Sequence, residues 1–429
     1  QSSRMGASSI PIPHIKNTPA LMSEAAVAIG SQVMQTITGI ILGITTGTTV
    51  LIAIATGAKD NRKVAFTIGS SVWLFSITGV VLTLVMVLFH SRIAELMHTP
   101  VEAMVDTKNY ILVCSLGILF IVGYNVVCGI LRGLGDSKTP LYFVGLACVI
   151  NIVLDFILVG YFHWGATGAA IATVTAQGVS FGIALWFLYR HGFHFDFSRK
   201  DIRLNRNLSK KILVLGAPIA LQDALINVSF LIITVIVNQM GVIASASLGV
   251  VEKIIVFAML PPMAISSAVA TMTAQNYGAG LIKRMNKCLA SGIGIALVFG
   301  VSVCVYSQFL PETLTAFFTK DAAVVAMAAD YLRGYSIDCI VVSFVFCINS
   351  YFSGQGNSLF PMIHSLIATF LFRIPLSYWF SQIDSSSLFI MGFAPPISTV
   401  VSLLICIWYL RYTQRKLYLR GTMMPAMSN

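Results

Sequence analysis

The sequence predicts an all-α, polytopic membrane protein made of two homologous helical bundles. Three observations predict it. Of the 429 residues, 57% are hydrophobic and only 10% charged, against roughly 25% charged in an ordinary soluble domain. Apolar runs recur along almost the whole chain, each as long as the ~20 residues a helix needs to cross a bilayer. Finally, several short motifs recur at one constant offset of 221 residues. None of the runs alternates polar and apolar residues, as the strands of a membrane barrel do.

Taken in order, a polar N-terminal segment (1–25) precedes eleven spans. The first bundle (26–189) holds five, at 26–57, 64–90, 108–131, 140–162 and 166–189. A basic linker (190–211) follows. The second bundle (212–410) holds six, at 212–239, 243–277, 286–308, 326–352, 360–382 and 388–410, and residues 411–429 form a tail. Eight cysteines fall inside the apolar runs with no CxxC pair, which reads as small buried hydrophobes rather than a disulfide or zinc framework. No signal peptide is evident at the polar start.

The net charge of +11 does not point to nucleic acid, because the basic residues lie in short loops and not along one face. They alternate from loop to loop. Lys59, Arg62, Lys63, Arg132 and Lys138 share one set with seven residues of the 190–211 linker, with Lys283, Arg284 and Lys287, and with the tail. The opposite set has only Arg4, Lys16, Arg92, Lys108 and Lys320. The positive-inside rule then puts the linker and the C-terminus in the cytoplasm and the N-terminal segment outside.

The repeat is visible in "ATGAKDNRK" (55–63) against "NYGAGLIKR" (276–284), in "RGLGDSKTP" (132–140) against "SGQGNSLFP" (353–361), and in Tyr110 against Tyr331. Duplicated bundles are common among transporters, with the substrate path at their interface. The helix at 212–239 opens the second bundle, and its partner in the first bundle is missing from the sequence. The expectation is that a first helix has been lost from this chain, which gives eleven spans where twelve are expected.

"GATGAAIAT" after "NIVLDFILV", "RGLGDSKTP", "APIALQ", "AQNYGAG" and "FRIPLSYW", in that order, resemble the multidrug and toxic compound extrusion (MATE) family, and its bacterial DinF-like branch more than its eukaryotic ones. The resemblance covers the chain from about Ala25 to Arg411. It implies twelve helices in two six-helix lobes and a secondary active exporter of drugs and organic cations. Export is by antiport with protons or sodium, in a multi-pass protein of the bacterial inner membrane. It implies no cofactor beyond the coupling ion, a monomer, and no partners other than its small-molecule substrates and the lipid bilayer.

Intramembrane charges are expensive and are functional candidates by default. Asn151 and Asp155 stand four apart and share a helix face, so the amide is expected to donate to the carboxylate. Such a carboxylate can carry a proton, neutral when closed off and ionised when water reaches it. The resemblance assigns Asn151, Asp155 and Thr173 to the first lobe's cation site, whose further acid would come from the missing helix. The plainer alternative is an aspartate that serves only helix packing. In the second bundle, Gln222, Asp223, Asp338 and Arg373 form a candidate substrate or charge site. An unpaired guanidinium at that depth is costly, so Arg373 is expected to pair with Asp338 or Asp223. That pair reads either as a structural ion pair or as a substrate or cation site.

Weaker features are Pro218, Pro261, Pro262 and Pro375 as bends, Gly165 and Gly168 as points of close approach, Glu252–Lys253 as a local pair near the outer surface, and His364 as a packed histidine. No metal cluster, phosphate-binding loop or nucleophile triad is present in the sequence, so neither an enzyme nor ATP-driven transport has support. Two rival readings stand beside the exporter. One is a lipid-linked saccharide flippase, disfavoured because Arg373 is the sole deep cation. The other is a transport-inactive fragment that lacks its first helix.

Overall fold

A computed structural model describes residues 19–97, 99–193, 195–383 and 387–423. The described residues are almost entirely helical. Ten helical segments are long and apolar enough to cross a membrane, and a bent pair makes up to eleven. Each coincides with one of the eleven apolar runs. In chain order they start with α1 (Pro19–Gly57), α2 (Asn61–Leu96), the bent pair α3 (Met104–Leu116) and α4 (Ile118–Leu134), α5 (Lys138–Asp155) and α6 (Gly165–His191). The later ones are α7 (Arg206–Asn238), α8 (Val242–Gly278), α9 (Ile282–Phe309), short α10 (Pro311–Ala316), α11 (Ala322–Gly354), α12 (Leu359–Ile367), α13 (Ile374–Ile383) and α14 (Ala394–Met423).

Several boundaries differ from the sequence reading for physical reasons. Within the described residues α1 runs from Pro19, seven residues before the apolar run. Residues 1–18 of the N-terminal segment, with Arg4 and Lys16, lie outside the described residues. In the tail, α14 continues to Met423, and residues 424–429 lie outside them. The third span is bent by 47° where Gly117 separates α3 from α4. A Cβ on Gly117 would press into Val174 of α6, so the bend lets the two helices meet. Two spans carry π-turns (Phe156–Tyr161 after α5, Ala368–Arg373 between α12 and α13). Pro218, Pro261 and Pro262 sit inside unbroken α7 and α8.

The chain forms two compact units. One takes the described residues to Thr36 with Thr78–Ile121 and Phe143–Ile183, and the other takes Ile37–Ile77, Val122–Tyr142 and everything described from Ala184 on. Their boundaries fall within helices, so they divide the chain differently from the bundles at 26–189 and 212–410. In the smaller unit, Gly165 adopts φ +53° to turn the chain into α6, with Ser23 of α1 against it. Apolar side chains such as Leu88 on α2 and Val153 and Phe156 on the α5 span are exposed. In a protein of this hydropathy, lipid covers them.

The larger unit has two apolar cores. One packs Val251, Ile254, Ile255 and Met259 of α8 against Tyr331, Leu332, Tyr335 and Cys339 of α11. The other joins Met285 and Leu289 of α9, Tyr351 and Phe352 of α11, and Cys406 of α14. At the end bearing the basic loops, helices from the two sequence halves cross so closely that only glycine fits. A Cβ on Gly57 would overlap the Gln275 carbonyl oxygen, and one on Gly278 would overlap that of Ile54. The two contacts are reciprocal, since Ile54 and Gln275, like Gly57 and Gly278, are 221 residues apart. The same offset relates Gly133, packed on the Thr49 carbonyl and Ile52, to Gly354, packed on the Ala270 carbonyl and Thr273. The Gln275 side chain donates to the Gly133 carbonyl at 3.3 Å. The linker is strapped to α2 at this end. Trp73 donates to the Ile202 carbonyl at 3.1 Å, Arg203 lies over Phe66, and Gly69 leaves room for the Asp201 backbone.

Candidate functional site

In the smaller unit α5 and α6 run side by side, and this brings two of the three predicted cation-site residues together. The Asn151 amide donates to the Thr173 hydroxyl oxygen at 3.4 Å. It does not serve Asp155 as the i, i+4 spacing suggested, because the amide turns across to α6 instead of along its own helix. Asp155 is the last α-helical residue before the π-turn. Its side chain is half-buried, and its Oδ1 is buried without a hydrogen-bond partner. Tyr110 of α3 is buried in the same unit. Gly30 of α1 makes space for the Tyr110 ring, since a Cβ there would collide with it. A carboxylate oxygen shielded from water with no fixed donor is available to a proton or a cation.

The four predicted residues of the second half, all in the larger unit, behave differently from one another. Gln222 of α7 donates to the Ser365 hydroxyl of α12 at 3.1 Å. Asp223, next along α7, is exposed, and among the described residues no ion pair within 4.0 Å joins it to Arg373. Asp338 of α11 is 5% exposed and its Oδ1 has no hydrogen-bond partner. Arg373 closes the π-turn, with its guanidinium 4.3 Å from the centroid of the Phe230 ring. Its Nε is buried without a partner. The expected Arg373–Asp338 ion pair is therefore not formed. Among the described residues the charge pairs within 4.0 Å are those of Arg92 and Lys108 with Glu95 and of Arg333 with Glu312 and Asp330. The aromatic face stands in for the carboxylate because a cation over a desolvated ring is stabilised by the ring quadrupole.

Sequence reasoning missed Glu252 as a member of this charge group. It is not paired with Lys253 near the surface. It lies ten residues inside α8, half-buried, with a carboxylate oxygen 3.4 Å from the Thr234 hydroxyl of α7, whose shorter bond of 2.9 Å is donated to the Phe230 carbonyl. Thr234 and Phe230 are four apart on α7 and share a face. Glu252 and Arg373 thus each approach a side chain of α7, Thr234 and Phe230, one helical turn apart. The available signal was the i, i+4 pair of an aromatic and a hydroxyl on α7, which carries little information inside an apolar run.

His364 is packed, as expected. It is 1% exposed, its Nε2–H donates to Asn349 Oδ1 at 2.8 Å, and the Ser402 hydroxyl donates to Nδ1 at 2.8 Å. Its ring nitrogens are satisfied, which leaves no site for a ligand. Six of the eight cysteines are buried, Cys288 is partly buried and Cys148 exposed. Among the described residues no group of three or more His, Cys, Asp or Glu side chains can hold a metal ion.

With this geometry in view, comparison with known proteins is specific. The MatE family model matches residues 22–157 and 218–379. The chain is 29% identical to the probable multidrug resistance protein YpnP of Bacillus subtilis, over 86% of this chain and 82% of that protein. It is 26% identical to the probable multidrug resistance protein NorM of Thermotoga maritima, over 82% of this chain and 77% of the other. Among solved structures, the outward-facing conformation of a multidrug resistance MATE family transporter superposes with a TM-score of 0.88 at 23% identity, over 92% of this chain and 89% of that one. The same fold, the eleven matching spans and a family model that covers both halves of the sequence mean that this integral membrane protein belongs to the MatE family, the multidrug and toxic compound extrusion transporters.

Proposed function

We propose that the protein is a secondary active multidrug efflux transporter. It exports organic, mostly cationic compounds by antiport with protons or sodium, through alternating access of its two lobes in a bacterial inner membrane. The linker and C-terminus would face the cytoplasm, as the distribution of Lys and Arg implies. The relatives named as multidrug resistance proteins support the substrate class. The observation that carries the coupling step is Asp155. An intramembrane carboxylate with one shielded, unpartnered oxygen beside the Asn151–Thr173 bridge is costly unless it binds something. Its ionised form attracts a proton or sodium ion, its neutral form can be enclosed, and the cycle between the two is what antiport requires.

Asp155→Asn tests this. The amide keeps the shape of the side chain but binds no proton and carries no charge. Efflux of a fluorescent cation from cells, driven by an imposed proton or sodium gradient, should lose its dependence on that gradient while the protein level stays unchanged. Gradient-driven efflux equal to wild type would leave Asp155 as a packing residue.

A further inference from the structure

Where the basic linker crosses α2, two guanidinium groups share one aromatic ring. Arg62, in the first turn of α2, lies 5.6 Å from the centroid of the Phe66 ring, and Arg203 of the linker lies 5.5 Å from it. Both arginines are exposed, and among the described residues neither forms an ion pair within 4.0 Å. The acids beside them in the chain are engaged elsewhere. Asp60 accepts from the Lys63 backbone N–H at 3.0 Å, and Asp201 accepts from the Ser198 backbone N–H at 2.8 Å. The ring attracts both cations, but the like charges repel each other, so the arrangement favours an anion that bridges them. It also stands at the edge of the membrane-facing surface. On α2, residues 64–71 are buried apart from the half-buried Phe66. Exposed large apolar side chains begin at Trp73 and continue through Ile77 and Leu84 to Phe89. That stretch is about 24 Å of helix, against about 30 Å of hydrocarbon in a bilayer. Trp73 thus marks the boundary with the headgroups, where tryptophan is enriched. Its indole donates to the Ile202 carbonyl at 3.1 Å and pins the linker at that level. Ile202 and Leu204, the chain neighbours of Arg203, expose their apolar side chains, so the linker offers an apolar edge to acyl chains beside a basic one for headgroups.

We propose that Arg62, Phe66 and Arg203 form a binding site for the phosphodiester of an anionic phospholipid, in the leaflet on the side of the basic loops. The two guanidinium forks donate to the non-bridging phosphate oxygens, a planar, bidentate match that an ammonium group does not offer. The shared ring keeps both forks in place, and the acyl chains run along α2 past Trp73. A zwitterionic lipid carries its own ammonium group, which the two arginines repel, so the site selects headgroups of the phosphatidylglycerol or cardiolipin type. The bound lipid ties the start of α2, in the first half of the sequence, to the linker that leads into the second half.

The test uses the purified full chain in detergent with Trp73 as its one tryptophan, the other four changed to phenylalanine. It reads the quenching of Trp73 by lipids with brominated acyl chains, and thermal melting checks folding. Brominated phosphatidylglycerol should quench at a concentration about tenfold or more below that of brominated phosphatidylcholine, since each basic side chain near an anionic headgroup contributes about fivefold. Arg62→Gln and Arg203→Gln should each cut that preference about fivefold, and the double variant should remove it. Lys210→Gln removes an exposed basic residue of the same end and should leave the preference unchanged. If a glutamine variant does not fold, the lysine variant takes its place, and it should show a lower preference because it keeps the charge but loses the fork. If the single-tryptophan chain does not fold, native mass spectrometry of the chain with its tryptophans intact makes the same comparison by counting retained lipids. Full preference in the folded double variant, or an equal loss in Lys210→Gln, would reduce the effect to the general charge of this end and overturn the site. Release of the quenching by inorganic phosphate would mark a site for the free anion and overturn its assignment to lipid.

Discussion

At the scale of single residues, the second partner of each charged group decided what was legible in the sequence. Asn151 and Asp155 stand out in the sequence as polar residues four apart in an apolar run, Thr173 joins them only through the family resemblance, and a hydrogen bond brings Asn151 and Thr173 together. The Asn151 amide turns to Thr173 and not along its own helix to Asp155, since i, i+4 spacing shows which residues share a face but not which way a side chain turns between helices. Arg373, expected beside a carboxylate, lies instead over the Phe230 ring. A phenylalanine in an apolar run cannot announce that role. Thr173→Val keeps the volume of Thr173 and removes the hydroxyl that accepts from Asn151. One such hydrogen bond contributes about 0.5–1.5 kcal/mol. If the bridge orders a cation site, the half-saturating proton or sodium concentration for efflux in proteoliposomes should rise about two- to tenfold. An unchanged value would mean that the bridge serves packing alone.

At the scale of elements, the spans were legible because hydropathy alone sets them. Each of the eleven runs has its helix. Departures from straight helix were legible only in part. The π-turn at Phe156–Tyr161 and the 47° break at Gly117 have no proline beside them, whereas Pro375 follows the π-turn Ala368–Arg373 by two residues, and Pro218, Pro261 and Pro262 lie within continuous helices. These irregularities arise from packing between helices, which a one-dimensional pattern does not encode. The contact of α1 with α3 gives a test at this scale. Gly30 faces the buried Tyr110 ring, and any side chain there must push the ring aside. Gly30→Ala should cost about 1–3 kcal/mol, the usual penalty for overfilling a packed contact, seen as a lower melting midpoint in detergent. Gly39→Ala, with open space around its Cβ, is the control and should melt like wild type. Equal midpoints for the two would remove Tyr110 from the packing of this unit.

At the scale of the whole molecule, the 221-residue repeat read from short motifs reappears as paired backbone contacts at the end bearing the basic loops. Gly57 meets Gln275 and Gly278 meets Ile54. Neither glycine has positive φ, so both are there for proximity and not for turn geometry. On the proposed alternating-access reading one end is sealed while the other is open, and these backbone-to-backbone contacts without side chains between are the proposed seal. The Gln275–Gly133 hydrogen bond and the linker strapped along α2 brace the same end. Gly57→Val puts a branched side chain where the Gln275 carbonyl lies, so the crossing cannot close. Gln275→Cys reports on it in a chain whose more accessible cysteines, Cys148 and Cys288, are changed to serine. Applied from the side of the basic loops, a membrane-impermeant maleimide should label this cysteine slowly when Gly57 is intact. With Gly57→Val it should label several-fold faster, and efflux of the fluorescent cation should fall in parallel. Gly278→Val should have the matching effect on a cysteine at Ile54, because the two contacts are related by the repeat. If labelling is equally fast with and without Gly57→Val, the crossing is a fixed packing contact that does not open and close during transport.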